Sequence, residues 1–246
     1  MAEWWQTFFE GVALDMWRMA VRPEQTRADA DRIEKLLELP QRARILDAPC
    51  GFGRVALELA QRGYQAAGID IAPPYVEEAK TRARELGVSA EFHVGDVRDM
   101  PWRDAFDGIF CTGNSFAYFE DAGNERFVRS IARALSPGGK LLLECPMVAE
   151  SILSRVQMNA WYQIGEIYTL AKREYEALTG RLQVEYTFIV DGKFDRRTAS
   201  YRIYTCRQIV EMVQAAGLEV IGAWGSADRT PFTLSSGELL LLARKP

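Results

Sequence analysis

The stretch Ile45-Leu46-Asp47-Ala48-Pro49-Cys50-Gly51-Phe52-Gly53-Arg54 decides the fold of this chain. A short apolar run is followed by an acid, then by two glycines separated by one residue, and then by a helical pattern. This order predicts a strand that ends in a tight turn and leads into a helix. Glycines in such a turn let a nucleoside-bearing ligand lie directly on the backbone, near the free N–H groups of the helix.

Strand and helix patterns alternate on both sides of this turn, and short apolar runs between helices predict a parallel sheet. The predicted strands cover residues 44–47, 65–71, 90–94, 106–111, 140–144, 218–223 and 239–243. Predicted helices cover 75–86 and 124–135, and another follows Thr205. Seven strands with helices on both faces predict a three-layer, doubly wound, Rossmann-like α/β domain.

Two segments depart from this alternation. Residues 1–25 are rich in aromatics and predict an amphipathic helix that either packs on the body or lines a ligand pocket as a lid; a capping box at Thr26 predicts the next helix. Residues 173–204 alternate apolar and polar side chains and predict an antiparallel meander of three strands. We therefore expect an N-terminal helical cap (1–42), a cofactor-binding core (43–146), an inserted lid (147–204) and the end of the core sheet (205–246).

Composition limits the function classes. The 246 residues carry a net charge of -4 and no long basic run, so nothing favours nucleic-acid binding. The four cysteines are scattered, which is typical of a reduced cytoplasmic protein without a disulfide framework, and we expect no metal site. No apolar stretch approaches the ~20 residues of a membrane span.

Acids recur at the ends of the predicted strands. Asp70 ends the second strand, where a carboxylate can accept hydrogen bonds from ribose hydroxyls, and Asp96 follows the third, placed to meet an adenine amino group. A dinucleotide remains an alternative, because Gly51, Gly53 and Ala56 also fit the pattern G-x-G-x-x-A. Asp47, however, would repel a diphosphate at short range, whereas it suits an ammonium group.

A second dinucleotide signal lies further along the chain. Tyr168 and Lys172 have the Y-x-x-x-K spacing of short-chain dehydrogenases, so an NAD-dependent oxidoreductase is the alternative function. No glycine motif of that family begins the chain, which disfavours this interpretation.

Taken together, these motifs resemble class I S-adenosylmethionine-dependent methyltransferases. Asp47-Ala48-Pro49-Cys50-Gly51-Phe52-Gly53 is similar to the first motif of the family, with Pro49 where glycine is usual. Gly68-Ile69-Asp70 and Gly95-Asp96-Val97 resemble the ribose and adenine motifs, and residues 106–110 and 135–140 match the later ones. The N-terminal helices and the β-insertion resemble small-molecule N- and O-methyltransferases, some of which act on amino sugars.

The resemblance implies S-adenosyl-L-methionine as cofactor, S-adenosyl-L-homocysteine as product and a set of cofactor-binding residues. These are Asp47, Ala48, Cys50, Gly51, Gly53, Asp70, Ile71, Asp96, Val97, Cys111 and Thr112. Methyl transfer relies mainly on alignment, so no fixed catalytic residue is expected. Candidates for a catalytic contribution are Asn114, Tyr118 and Glu144, whereas the lone histidine, His93, precedes a strand tip and is a poor base candidate.

The acceptor is expected to be a small molecule held above the methyl group. Candidate substrate-binding residues are Trp17, Ser115, Phe116, Tyr162, Arg202 and Tyr204, and Tyr201 lies on the same segment as the last two. The exposed edge of the inserted strands also suggests a homo-oligomer. We expect methyl transfer to nitrogen or oxygen; the other alternative is a non-catalytic cofactor-binding module of the same fold.

Overall fold

The computed structural model describes residues 3–246 of the chain. The strands are β1 (Arg44–Asp47), β2 (Gln65–Asp70), β3 (Ala90–Val94), β4 (Phe106–Cys111), β5 (Leu135–Cys145), β6 (Asn159–Ile164), β7 (Ile167–Glu176), β8 (Arg181–Val190), β9 (Lys193–Arg202), β10 (Glu219–Trp224) and β11 (Leu239–Arg244). The helices are α1 (Trp4–Phe8), α2 (Gly11–Ala20), α3 (Pro23–Leu37), α4 (Arg54–Gln61), α5 (Pro73–Leu86), α6 (Asp121–Ala134), α7 (Ala149–Ile152) and α8 (Cys206–Ala215).

A seven-stranded sheet in the order β10-β11-β5-β4-β1-β2-β3 forms the centre of the fold, which confirms the predicted α/β architecture. Strands β1 to β5 run parallel, but β11 is antiparallel to both β5 and β10. The expectation of parallel strands is wrong for β11, because residues 225–238 return the chain directly to a neighbouring strand without a crossover helix.

Side chains on the two faces of this sheet fill two separate cores. Leu46, Ile109 and Leu241 are fully buried on one face, where α6 and α8 pack. Ile45 and Phe110, their chain neighbours, are buried on the other face with α3, α4 and α5. This alternation follows from the two-residue period of a strand, and it accounts for the continuous apolar runs in the sequence.

The inserted segment is a four-stranded antiparallel sheet in the order β6-β7-β8-β9, not a meander of three strands. Thr179-Gly180 lies in the turn between β7 and β8, and Asp191-Gly192 lies in the turn between β8 and β9. Burial alternates along β6 as in the other strands, but the sequence pattern does not show it, because the apolar side chain of Trp161 lies on the exposed face and is 69 % exposed. A third core joins this sheet to α1 and α2 through Phe8, Met16 and Phe188.

The N-terminal aromatic segment forms two helices rather than one, and residues 1 and 2 of the predicted cap lie outside the described residues. Gly11, with φ +55°, begins α2 after a break in the chain direction. Helix α3 begins at Pro23 and not at Thr26, because proline suits the first helical position. Nowhere between residues 3 and 246 is a helix long and apolar enough to cross a membrane.

Candidate functional site

A cavity of about 440 Å³ lies at the carboxyl edge of β1, β2 and β4. Its floor is the turn between β1 and α4. Its walls come from α1 and α2, from the segment after β4 and from the inner face of the antiparallel sheet. Open α/β sheets bind ligands at this edge. The position of the cavity therefore matches the one expected from the glycine turn.

The glycine turn is shaped by both of its glycines. Gly51 has φ +52°, and no atom lies within 4 Å of the position that a Cβ would take, so a ligand has room there. Gly53 has φ +72°, and a Cβ would lie 2.7 Å from the ring of Phe92. A larger residue would thus disturb the packing of α4 at position 53, while position 51 keeps the backbone open toward the cavity.

Three carboxylates follow one another along the cavity floor. Asp47 ends β1, Asp70 ends β2 and Asp96 follows β3. The sheet order β4-β1-β2-β3 sets their sequence in space, so a ligand that spans them runs from Asp96 past Asp70 to Asp47 and then meets the segment after β4.

Asp47 is the most deeply placed of these acids, at 4 % exposure. Burial raises its pKa well above the usual range, against the opposing effects of Arg54 and of a hydrogen bond from the backbone N–H of Ala56. The carboxylate therefore caps the start of α4 and still lacks a full counter-charge, because Arg54 also pairs with Asp29. A cationic ligand group would supply it.

Asp70 and Asp96 differ in their surroundings. Burial raises the pKa of Asp70, although backbone N–H groups of Ala72 and Gly51 donate to its carboxylate at 2.9 and 2.8 Å. For Asp96, burial is outweighed by hydrogen bonds from Arg98, which lower its pKa overall. Each carboxylate oxygen can accept more than one hydrogen bond, so both acids can still receive ligand hydroxyl or amino groups.

The residues present fit S-adenosylmethionine in their chemistry and in their order along the cavity. If the cofactor bound with its adenine beside Asp96 and Val97, Asp70 would meet the ribose and the buried Asp47 carboxylate would meet the ammonium of the methionine part. When bound, the cofactor supplies a methyl group that its sulfonium activates.

Aromatic side chains enclose the other end of the cavity. Phe9 and Trp17 come from the N-terminal helices, Tyr118 from the segment after β4, and Tyr186 and Tyr201 from the antiparallel sheet. The rings of Tyr118 and Tyr201 lie 5.6 Å apart. Burial raises the pKa of all three tyrosines, so their hydroxyls stay protonated.

The segment after β4 adopts an unusual backbone. Gly113, Asn114 and Ala117 all have φ between +63° and +73°. This conformation brings Asn114, Ser115 and Tyr118 to the cavity, and the Asn114 amide donates to the Met147 sulfur at 3.0 Å. Left-handed residues outside glycine are costly and concentrate at functional sites, which makes this segment a candidate for contact with the acceptor.

Most of the residues predicted for the site line this cavity. They are Trp17, Asp47, Cys50, Gly51, Asp70, Ile71, Asp96, Val97, Thr112, Asn114, Ser115 and Tyr118. Three others, Ala48, Gly53 and Cys111, support the turn or the strand from below and do not line the cavity.

Four predicted substrate or catalytic candidates are engaged elsewhere. Arg202 pairs with Asp121 at 2.9 Å and lies over the Tyr204 ring, whose hydroxyl donates to the same carboxylate at 2.7 Å. Glu144 pairs with Arg32 at 2.7 Å. Phe116 packs in the core, 5 % exposed. These side chains hold helices and strands together and do not line the cavity, so the structure does not support a catalytic contribution from Glu144 or substrate binding by Phe116, Arg202 and Tyr204.

The antiparallel sheet also contains Tyr162 and the Tyr168/Lys172 pair, which the sequence analysis had considered for a binding site. Tyr162 lies on β6, half-buried beside the third core, and does not line the cavity. Tyr168 and Lys172 lie on the exposed face of β7, so this pair has no place in a dehydrogenase site. The Tyr162 prediction is wrong because the start of the antiparallel sheet was not predicted, whereas the exposed position of Tyr168 and Lys172 agrees with the case against a dehydrogenase.

Several lining residues escape a motif-based prediction. They are Trp5, Phe9, Phe52, Arg54, Tyr75, Phe119 and Tyr186. Arg54 directly follows the glycine turn, and this adjacency was an available signal. Phe52 lies in the glycine turn itself. The other aromatics come from segments whose packing on the cavity depends on tertiary contacts, and sequence periodicity alone cannot distinguish them from core residues. Within residues 3–246 no group of three or more His, Cys, Asp or Glu residues is arranged to hold a metal ion.

Comparison with known proteins agrees with this geometry. Residues 45–139 match a family model described as a methyltransferase domain. The cypemycin N-terminal methyltransferase of a Streptomyces species is 28 % identical over 208 residues, covering 82 % of each chain. The 27-O-demethylrifamycin SV methyltransferase of Amycolatopsis mediterranei is 28 % identical, covering 92 % of this chain and 86 % of the relative. The CcbJ methyltransferase of Streptomyces caelestis superposes with a TM-score of 0.78 at 19 % identity, covering 93 % of this chain and 98 % of its own.

Proposed function

We propose that this chain, an S-adenosylmethionine-dependent methyltransferase that acts on nitrogen or oxygen of small molecules, methylates the nitrogen of an apolar amine that carries no phosphate. The relatives include one named for an N-terminal methyl transfer and one named for an O-methyl transfer. The choice between the two acceptors therefore depends on the chemistry of the cavity.

The observation that carries the proposal is the absence of a side-chain base at the aromatic end. Among the described residues, the cavity is lined by no His, Lys or Glu, and its three carboxylates lie at the cofactor end. A hydroxyl acceptor needs a base to remove its proton, whereas an amine needs only to arrive neutral. Burial in an apolar cavity itself favours the neutral form of an amine.

The residues that line the cavity also indicate which chemical groups the acceptor carries besides its nitrogen. Arg54 is the single cationic residue lining the cavity in residues 3–246, and it lies at the cofactor end beside Asp47. Phosphate groups are bound by arginine, lysine or free backbone N–H groups. Aromatic walls without arginine or lysine favour an apolar acceptor, and the faces of Tyr118, Tyr201 and Trp17 can stabilise the positive charge that the nitrogen gains.

The residues of the chain would then act by alignment and by exclusion of water. The glycine turn and the three acids fix the cofactor, while Tyr118 and Asn114 orient the acceptor beside it. Holding both reactants in line can lower the barrier by ~7–11 kcal/mol in favourable cases. The amine loses its proton to solvent before or as it enters the cavity, and no further proton has to move before the methyl group is transferred; the product ammonium loses its proton afterwards.

A matched acceptor panel tests the proposal. Purified protein is incubated with cofactor and with arylalkylamines, the corresponding alcohols and phosphorylated amines, and S-adenosylhomocysteine is quantified together with the methylated product. We expect turnover of the unphosphorylated amines alone. Turnover of the alcohols would contradict nitrogen selectivity, and cofactor binding without turnover of any acceptor would favour the non-catalytic module.

We also propose a cytoplasmic protein that binds no nucleic acid and forms a homo-oligomer through the inserted strands. Four free cysteines, three of them buried, support a reducing compartment. The edge strand β6 and the exposed side chains of Trp161, Leu170 and Phe194 on the outer face of the same sheet support self-association. Trp161→Glu should shift the mass measured by light scattering toward the monomer, and an unchanged mass would contradict this interface.

A further inference from the structure

Arg54 has no assigned role in the motif set, although it lines the cavity at the start of α4. Its Nη1 atom pairs with Asp29 Oδ2 at 2.6 Å and reaches Thr26 Oγ1 at 3.5 Å. A guanidinium has five N–H donors in a rigid fork. Within residues 3–246 both contacts use Nη1 alone, so the Nη2 and Nε donors are available to a ligand.

Arg54 and Asp47 form a pair of opposite charges beside the glycine turn. Arg54 is the main attractive influence on the buried Asp47 carboxylate, and both residues line the cavity at the first turn of α4. An α-amino acid carries an ammonium and a carboxylate on one carbon, which matches such a pair. We propose that Arg54 binds the carboxylate of the cofactor's methionine end and that Asp29 positions Arg54 for this contact.

Asp29 is suited to a positioning role because it is itself fixed. Its side chain is 5 % exposed and accepts from Arg32 Nη2 at 3.0 Å and from Gln25 Nε2 at 2.8 Å, in addition to pairing with Arg54. Arg32 in turn pairs with Glu144 at the end of β5. The orientation of Arg54 therefore depends on α3, which lies outside the segment that carries the cofactor motifs.

Comparing two ligands on the wild type and three variants distinguishes carboxylate binding by Arg54 from a purely structural role of this residue. Isothermal titration calorimetry would measure Kd for S-adenosylhomocysteine and for its decarboxylated analogue, which keeps the ammonium and lacks only the carboxylate. The proteins are the wild type, Arg54→Gln, Asp29→Asn and the control Arg103→Gln, which removes the same charge from an exposed residue outside the cavity lining.

We expect the wild type and Arg103→Gln to bind S-adenosylhomocysteine about 10- to 100-fold more tightly than the decarboxylated analogue, the effect of one or two charge-assisted hydrogen bonds. In Arg54→Gln this preference should fall to about threefold or less, and in Asp29→Asn it should fall to an intermediate ratio. A general structural defect would weaken both ligands equally and leave the ratio unchanged.

An unchanged ratio in Arg54→Gln would overturn the assignment of Arg54, and an unchanged ratio in Asp29→Asn would overturn the positioning role. If Arg54→Gln does not fold, the measurement on the wild type still tests the proposal. Equal affinity of the wild type for S-adenosylhomocysteine and its decarboxylated analogue would exclude a side chain that binds the carboxylate. The inference depends on the cofactor and not on the acceptor, so a failure to methylate amines would leave these ratios untouched.

Discussion

The backbone N–H of Gly51 donates a hydrogen bond to Oδ2 of Asp70 over 2.8 Å, which joins the glycine turn to the end of the neighbouring strand. The second oxygen of the same carboxylate accepts from the N–H of Ala72 at 2.9 Å. Asp70 thus shapes the turn and still presents lone pairs to the cavity. One side chain therefore fixes the backbone on which the ligand lies and provides acceptors for its hydroxyl groups.

Asp70→Ala should weaken binding of S-adenosylhomocysteine by about 10- to 100-fold, because hydrogen bonds to a charged acceptor are lost. Calorimetry with the purified protein measures this change. Glu125→Ala, which removes an exposed carboxylate from α6, serves as the control and should leave the affinity within about threefold. Equal effects of the two substitutions would contradict a direct role of Asp70.

The core of the fold was predictable because its central strands are buried on both faces. The bounds of β1 and β4 agree with the sequence prediction, since each is a short apolar run that ends at or before a polar residue. The bounds of β3 also agree, although only Phe92 is buried in this edge strand. The acids of the cofactor end followed from the same logic, because strand ends in a parallel sheet converge on one edge.

The acceptor end was less predictable, for a physical reason. Its walls combine side chains from α1, α2 and the antiparallel sheet, which meet only through tertiary packing. Tyr186 alternates with polar neighbours as any buried strand residue does, so its contact with the cavity leaves no local signal. Arg202 and Tyr204 have residue types typical of binding sites, but Asp121 on α6 engages both of them.

Asp47→Asn should stabilise the protein without ligand and weaken its binding of the cofactor. Burial raises the pKa of Asp47 in the folded state above its value of about 3.9 in the unfolded chain. The folded state therefore holds the proton more tightly, and stability contributed by this group is lost as pH rises from about 4 through the folded-state pKa. Asparagine keeps the shape and the capping oxygen without carrying the charge.

Differential scanning calorimetry should show that the Tm of the Asp47→Asn variant is higher than that of the wild type at pH 7 by about 2–4 °C, which corresponds to roughly 1 kcal/mol for a chain of this size. The difference from the wild type should shrink toward pH 4 and vanish below it, where the aspartate is protonated in both the folded state and the unfolded chain. S-adenosylhomocysteine should bind about 10- to 100-fold more weakly at pH 7. A variant that is less stable at pH 7 and binds normally would refute both parts.

Tyr204→Phe should lower stability and leave acceptor recognition unchanged. The Tyr204 hydroxyl donates to Asp121 at 2.7 Å and accepts from the buried Asn124 amide at 3.1 Å, and it does not line the cavity. Loss of this bridge should cost about 1 kcal/mol and lower Tm by about 2–4 °C. Steady-state kinetics should give KM values for acceptor and cofactor equal to those of the wild type; a raised acceptor KM would instead place this residue at the substrate.

Two substitutions of Tyr118 distinguish a role of its ring in holding the acceptor from a role of its hydroxyl as a general base. Burial raises the pKa of this hydroxyl, so it holds its proton at neutral pH and cannot serve as a general base. Tyr118→Phe keeps the ring and should retain kcat within about threefold, with the pH profile of the amine acceptor unchanged. Tyr118→Ala removes the ring that lies 5.6 Å from Tyr201 and should lower kcat/KM by about 10- to 100-fold, because the acceptor is no longer held in line. A Phe variant as inactive as the Ala variant, with an altered pH profile, would show that the hydroxyl takes part in proton transfer and would reopen the case for an oxygen acceptor.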